Sequence, residues 1–164
     1  MSYFPDYTAV VTLTPAQIKT LHTAPLLLAT GVAGPIVDVR SIFCEMNPGT
    51  AAYVVDAGGN VDVLTLFTGS VVAGVLNINS LLNYARGIIL ASGFVDSTTP
   101  IATFSFGWWG GNQNSGAQAP ASVIVGAGIY IYQFNSNSNF QAGTNWTAGN
   151  GTLKIAITYS YIEA

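Results

Sequence analysis

Charge is what this sequence has least of. Only 7% of its 164 residues are Asp, Glu, Lys or Arg, against about 25% in ordinary soluble chains. A polar, highly charged disordered chain is excluded, because half the residues are apolar. A helical bundle is disfavoured, since exposed helix faces are normally filled with Glu, Lys and Arg. Phosphate recognition needs clustered cations. Lys19, Arg40, Arg86 and Lys154 are the four basic residues, and they are scattered. No nucleic-acid partner is therefore expected. The single cysteine, Cys44, excludes an intrachain disulfide and a cysteine-rich zinc site.

Long apolar runs are also missing, although mean hydropathy is +0.46. The most apolar stretch, Ala24 to Val37, is cut by Pro25, Gly31, Gly34 and Pro35, whereas a spanning helix needs roughly 20 apolar residues. No membrane partner is expected. Met1 to Tyr7 lacks the basic and apolar regions of a secretory signal. The apolar residues are instead spread evenly, as in a folded chain whose surface is covered by neighbours. The length suits one domain, since two would be small for independent cores. We read residues 1–7 as an extended arm and 8–164 as a single domain.

Turn signals divide the chain into short β segments. Tyr7 to Leu13 is rich in Val and Thr. Thr14, Pro15 and Gln17 then form an N-terminal helix signature, cap, first-turn proline and capping-box partner. The spacing of Ile18 and Leu21 predicts one helix over Thr14 to His22, ended by Pro25. Strands are expected at 26–29, 36–46, 51–55, 61–67, 87–94, 100–109, 122–125 and 129–134. In the second of these, Val37, Val39 and Phe43 alternate with Asp38, Arg40 and Cys44. Turns are expected at 31–35, 47–49 and 57–60, polar loops at 110–120 and 135–151, and a short helical turn near 81–85. Leu153, Ile155, Ile157, Tyr159 and Tyr161 alternate with Lys154, Ala156, Thr158 and Ser160, the cleanest two-residue period in the chain. The fold class is all-β: an antiparallel β-sandwich, jelly-roll-like, with one short helix near 14–22.

Little here carries chemistry. His22 is the lone histidine, near a helix C-terminus where a cation is favoured. Cys44 reads as a small strand hydrophobe. Asp38 and Glu45 share a strand, but nothing makes them a paired-acid site. Asp56, Asn60 and Asp62 lack the later bidentate Glu of a calcium loop. Asn145-Trp146-Thr147 and Asn150-Gly151-Thr152 match the glycosylation pattern and read as chance. We expect no enzyme activity, catalytic residue, cofactor or metal. Aromatic side chains on loops and the arm are the materials of contact surfaces. Tyr3, Phe4, Tyr7, Trp108, Trp109, Phe140 and Trp146 are the candidate subunit or shell contacts.

The segment Leu13-Thr14-Pro15-Ala16-Gln17-Ile18-Lys19-Thr20-Leu21-His22, closed by Pro25, resembles the opening of short proteins from phage structural gene clusters. Gly49-Thr50-Ala51-Ala52-Tyr53 and the closing Gly149-Asn150-Gly151-Thr152-Leu153-Lys154-Ile155-Ala156-Ile157-Thr158-Tyr159 are similar to theirs. Residues 61–145 depart from that pattern. The resemblance implies a non-enzymatic virion protein of the capsid cement or decoration type. It would be a jelly-roll sandwich on the capsid surface, a homotrimer bound to the major capsid protein. A tail, neck or fibre component, or a carbohydrate-binding sandwich module, are the alternatives.

Overall fold

The computed structural model describes residues 5–54, 62–69, 71–72, 75–76, 86–90, 94–106, 128–135, 146 and 148–163. Among these residues ten strands and one helix follow in the order β1 (Tyr7–Leu13), α1 (Pro15–Thr20), β2 (Leu26–Ala29), β3 (Ile36–Asn47), β4 (Asp62–Gly69), β5 (Val71–Val72), β6 (Val75–Leu76), β7 (Arg86–Leu90), β8 (Ile101–Phe106), β9 (Gly128–Asn135) and β10 (Thr152–Ile162). One sheet has the order β1-β10-β3-β8, a second β2-β9-β4-β7, and β5-β6 form a small hairpin. Each pairing in the three sheets is antiparallel. The all-β sandwich expected from the sequence is the fold observed.

The pairing is nested. With the hairpin set aside, β1 lies beside β10, β2 beside β9, β3 beside β8 and β4 beside β7. One core lies between the sheets. Leu13, Ile42, Cys44, Met46, Leu153, Ile155 and Ile157 from the first sheet meet Leu28, Leu64, Leu66, Ile129 and Ile131 from the second, all buried in one cluster. Gln133 is also fully buried, on β9 opposite Leu64.

The helix forms for the reason its sequence gives. The Thr14 hydroxyl accepts from the Gln17 amide at 3.3 Å, and the Gln17 Oε1 accepts from the Thr14 amide at 2.9 Å. Two donors that a helix start leaves open are thereby satisfied. Ile18 and Leu21 point into the core at 0% and 1% exposure. The helix is shorter than the expected Thr14 to His22: Thr20 is its last residue, and Leu21 to Thr23 are turn. Thr14→Ala is expected to lower the unfolding free energy by about 1 kcal/mol. Gln17→Ala, which leaves the cap hydroxyl in place, should cost less, and urea titrations of the two variants compare them directly.

Three further expectations change. Phe94, expected to end the strand 87–94, lies in a turn, and β7 ends at Leu90. Ala51 to Val54 is not a strand, and the partner that Ala51 takes instead is given below. The alternation read in β3 breaks at Arg40. Ser41 pairs with Thr158 and Val39 with Tyr159, so Arg40 is the extra residue of a bulge. A bulge inverts the facing of everything beyond it. Val37 and Val39 are buried on one side of it; Ile42, Cys44 and Met46 are buried on the other, and Phe43 turns outward. The expected turn at 57–60, helical turn at 81–85, loop at 110–120 and strand at 122–125 lie outside the described residues, as do Asp56 and Asn60.

Candidate functional site

The chemistry-bearing side chains are dispersed. His22 Nδ1 lies 3.2 Å from the Lys19 carbonyl at the end of the helix. The Asp38 carboxylate accepts from Arg40 at 3.1 Å, and the same guanidinium donates to the buried Ser160 hydroxyl at 3.2 Å. Glu45 faces Lys154 at 4.0 Å. Asp38 and Glu45 thus each have their own cation, on opposite sides of the bulge. Among the described residues no three His, Cys, Asp or Glu side chains gather as a metal site would require. No helix among them is long and apolar enough to cross a membrane.

Cys44 is fully buried in the core. Burial pushes its thiol up from 9.0 to about 12, which removes the thiolate that a nucleophile needs. Burial likewise pushes the Tyr53 hydroxyl up from 10.0 to about 12. Both folded values exceed the unfolded ones, so their contribution to stability is complete below pH 9 and is lost as pH rises toward 12. At pH 11 the Cys44 share of the loss is about 2–3 kcal/mol. Urea midpoints should fall steeply above pH 9, and Cys44→Ala should flatten the first part of that fall.

Three segments that carry the sequence resemblance converge at one corner. Leu13, just before the helix, pairs with Leu153, which pairs with Met46. The chain after β3 is then clasped to the approach of β10. Asn150 Oδ1 accepts from the Ala51 amide at 2.9 Å, its Nδ2 donates to Thr50 Oγ1 at 2.9 Å, and its amide donates to the Ala51 carbonyl at 3.2 Å. Tyr53 donates to the Gly151 carbonyl at 2.7 Å. At Ala51, Asn150 rather than a neighbouring strand takes both backbone groups. Trp146 closes the corner, 1% exposed, its ring centroid 5.6 Å from that of Tyr53. This corrects the assignment of Trp146 as a contact residue, because its ring is spent in the core.

Tyr7 is the first residue of β1 rather than part of an arm. It stacks on Tyr159 at 5.7 Å and meets Tyr161 edge-on at 5.5 Å, while remaining 40% exposed. Tyr3, Phe4, Trp108, Trp109 and Phe140 lie outside the described residues.

The surface that sequence reasoning missed is the outer face of the β1-β10-β3-β8 sheet. Directly paired residues of antiparallel strands share a face. The register therefore lines up Val10, Ala156, Phe43 and Phe104 in one row across all four strands. Val10 is 59% exposed and Phe104 51%. The row on one side is Thr12, Lys154, Glu45 and Ala102; on the other side stand Thr8, Thr158, Ser41 and, by register, Phe106. This is an apolar ridge with a hydroxyl-rich border on one flank and one ion pair on the other. It has the make-up of a contact surface, not of a reaction centre. Only the outward turn of Phe43 at the bulge completes it, which is why the alternation pattern alone concealed it.

No family model matches the chain, and no curated protein matches it. Among solved structures, it is similar to a chain of the T13 IBDV viral particle at 13% identity and a TM-score of 0.30. That match covers 98% of this chain and 35% of the other, so this chain spans about a third of its length. It is also similar to a chain of the semi-empty virus-like particle of the giant freshwater prawn Macrobrachium rosenbergii nodavirus. There the identity is 9% and the TM-score 0.19, with 98% and 97% of the two chains covered. Both are viral particles; at TM-scores this low neither superposition carries an argument.

Proposed function

We propose that this chain is a non-enzymatic structural protein of a bacteriophage virion, a capsid cement or decoration protein that binds the major capsid protein on the shell surface. The observation that carries the reading is the nested antiparallel pairing of eight strands in two four-stranded sheets. We take it as a jelly roll, an architecture common to viral capsid and lectin domains. That step is an analogy between folds, which host many functions. The resemblance of the opening and closing segments narrows it to a cement protein. The scarcity of charge and the apolar ridge agree with a chain made to be covered. Self-association belongs to the same reading. The resemblance implies three copies, whereas the ridge fits two, as argued below.

The test is the position of this chain on intact particles of its source phage, by cryo-electron microscopy together with copy number by quantitative mass spectrometry. Many copies over the shell, and particles that lose heat resistance without the protein, are expected. A few copies at one vertex or along the tail would instead make it a neck, tail or fibre component. Saturable glycan binding, with no copies on the particle, would make it a carbohydrate-binding module.

A further inference from the structure

The outer face of the β1-β10-β3-β8 sheet is complementary to itself. Across the four strands the apolar row reads small, small, large, large: Val10, Ala156, Phe43, Phe104. Consider a two-fold axis parallel to the strands, running between the central strands β10 and β3. Such an axis exchanges the two halves of the row. Val10 then faces the Phe104 of a second copy, and Ala156 faces its Phe43, so each ring meets a small side chain. The same operation acts on the next row, Thr12, Lys154, Glu45 and Ala102. It places Lys154 against the other copy's Glu45, and Glu45 against the other copy's Lys154. In the third row Thr158 comes to face the other copy's Ser41, hydroxyl to hydroxyl, and Thr8 comes to the register position of its Phe106. Shape, charge and polarity are thus matched by one operation, as an isologous contact requires.

We propose that two copies of this chain pair through this face, sheet on sheet, about such an axis. The occupant of the ridge is a second copy of the same chain. The proposal needs only the register of four strands and does not rest on the virion reading. It also replaces the ring of three that the sequence resemblance implies with a two-fold pair. Four strands by about six residues give roughly 400 Å² of sheet plane per copy. That is about half the area of a standard interface, so the pair should form in the micromolar range and not at nanomolar concentration.

Sedimentation equilibrium of the full chain between about 1 and 200 µM should show a reversible monomer–dimer equilibrium. A monomer throughout, or a trimer, would overturn the proposal. The charge pair gives the sharper test. Lys154→Glu puts Glu against Glu between copies, and Glu45→Lys puts Lys against Lys, so each variant alone should dimerise at least tenfold more weakly. Mixed together they should recover the dimer, because each chain then meets opposite charges on its partner. Within either chain the pair stays like-charged, so the recovery has no intramolecular explanation. Folded variants, by circular dichroism, that do not recover on mixing would overturn the proposal.

A cross-linking test reads the axis and spares the ion pair. Val10 and Phe104 stand three strand spacings apart within a chain, about 14 Å, whereas face-to-face sheets lie about 10 Å apart. A double variant, Val10→Cys with Phe104→Cys, should be joined into a covalent dimer by a short bis-maleimide that spans about 10 Å, and Val10→Cys alone should not. Cross-linking of Val10→Cys to itself, with none in the double variant beyond that, would place the axis across the strands and overturn the arrangement.

Discussion

Gly149→Ala should lower the unfolding free energy by about 3 kcal/mol or more, a larger loss than a single methyl group normally causes. Two independent terms add there. Gly149 has φ +90°, a conformation that costs an L-residue roughly 1–2 kcal/mol. A Cβ at this position would also fall on the Tyr53 ring, with Cε1 at 2.7 Å. The ring cannot swing away cheaply. Its hydroxyl is held by the Gly151 carbonyl at 2.7 Å, and its face lies against Trp146. Gly34 supplies the control, since its φ is +101° but nothing lies within 4 Å of a built Cβ. Gly34→Ala should therefore show the backbone term alone, about 1–2 kcal/mol. For a chain of this length the Gly149 variant should melt about 6–12 °C lower. Equal losses in the two variants would mean that the Tyr53 ring yields freely and that the corner is not the rigid clasp described.

Trp146→Ala should cost about 3–5 kcal/mol, with no direct effect on self-association. The indole is 1% exposed and shares its surroundings with Tyr53 and the core. Trp146→Phe is expected to be much milder. Phe keeps most of the ring and removes Nε1, a buried donor with no acceptor among the described residues, whose burial is itself unfavourable by about 1–3 kcal/mol. Urea denaturation and sedimentation on the same samples separate the two roles. Loss of association with stability unchanged would return Trp146 to the contact surface and contradict its place in the core.

What the sequence revealed and what it hid divide along a physical line. Local signals survive folding. The capping box at Thr14 and Gln17 specifies a helix start by itself, and the strict alternation from Leu153 to Tyr161 specifies a half-buried strand. The capping box stands as read, and the alternation of burial holds from Leu153 to Ile157; beyond it Ser160 is buried and Tyr159 and Tyr161 are half-buried. Signals that depend on a distant partner do not survive. Ala51 to Val54 has β composition, yet the backbone of Ala51 bonds to Asn150, about a hundred positions away. The phase of β3 reverses at Arg40 because β10 supplies one residue fewer across from it. That reversal puts Cys44 in the core and Phe43 on the surface, where alternation alone assigns Phe43 to the same side as Val37 and Val39. Val10 and Ala156 become neighbours only through the pairing of β1 with β10. A contact surface assembled from four strands has no local spelling, so the aromatic loop residues stood out in the sequence and the ridge did not.

The place of β10 in its sheet also bears on how the chain is made. β10 is an interior strand, hydrogen-bonded to β1 on one side and β3 on the other, yet it is translated after every other strand described. Thr8 and Thr158, which meet across that pairing, are 150 residues apart in the chain. At about 5–20 residues per second, β1 waits roughly eight to thirty seconds for its in-sheet neighbour to be made. During that interval β1 and one edge of β3 are open to any other extended chain, including a second nascent copy on the same message. The sheet can close only after residues 152–162 have left the ribosomal exit tunnel. A ribosome-stalled chain that exposes everything up to Gly151 should accordingly be protease-sensitive in β1, and release of the last strand should protect it.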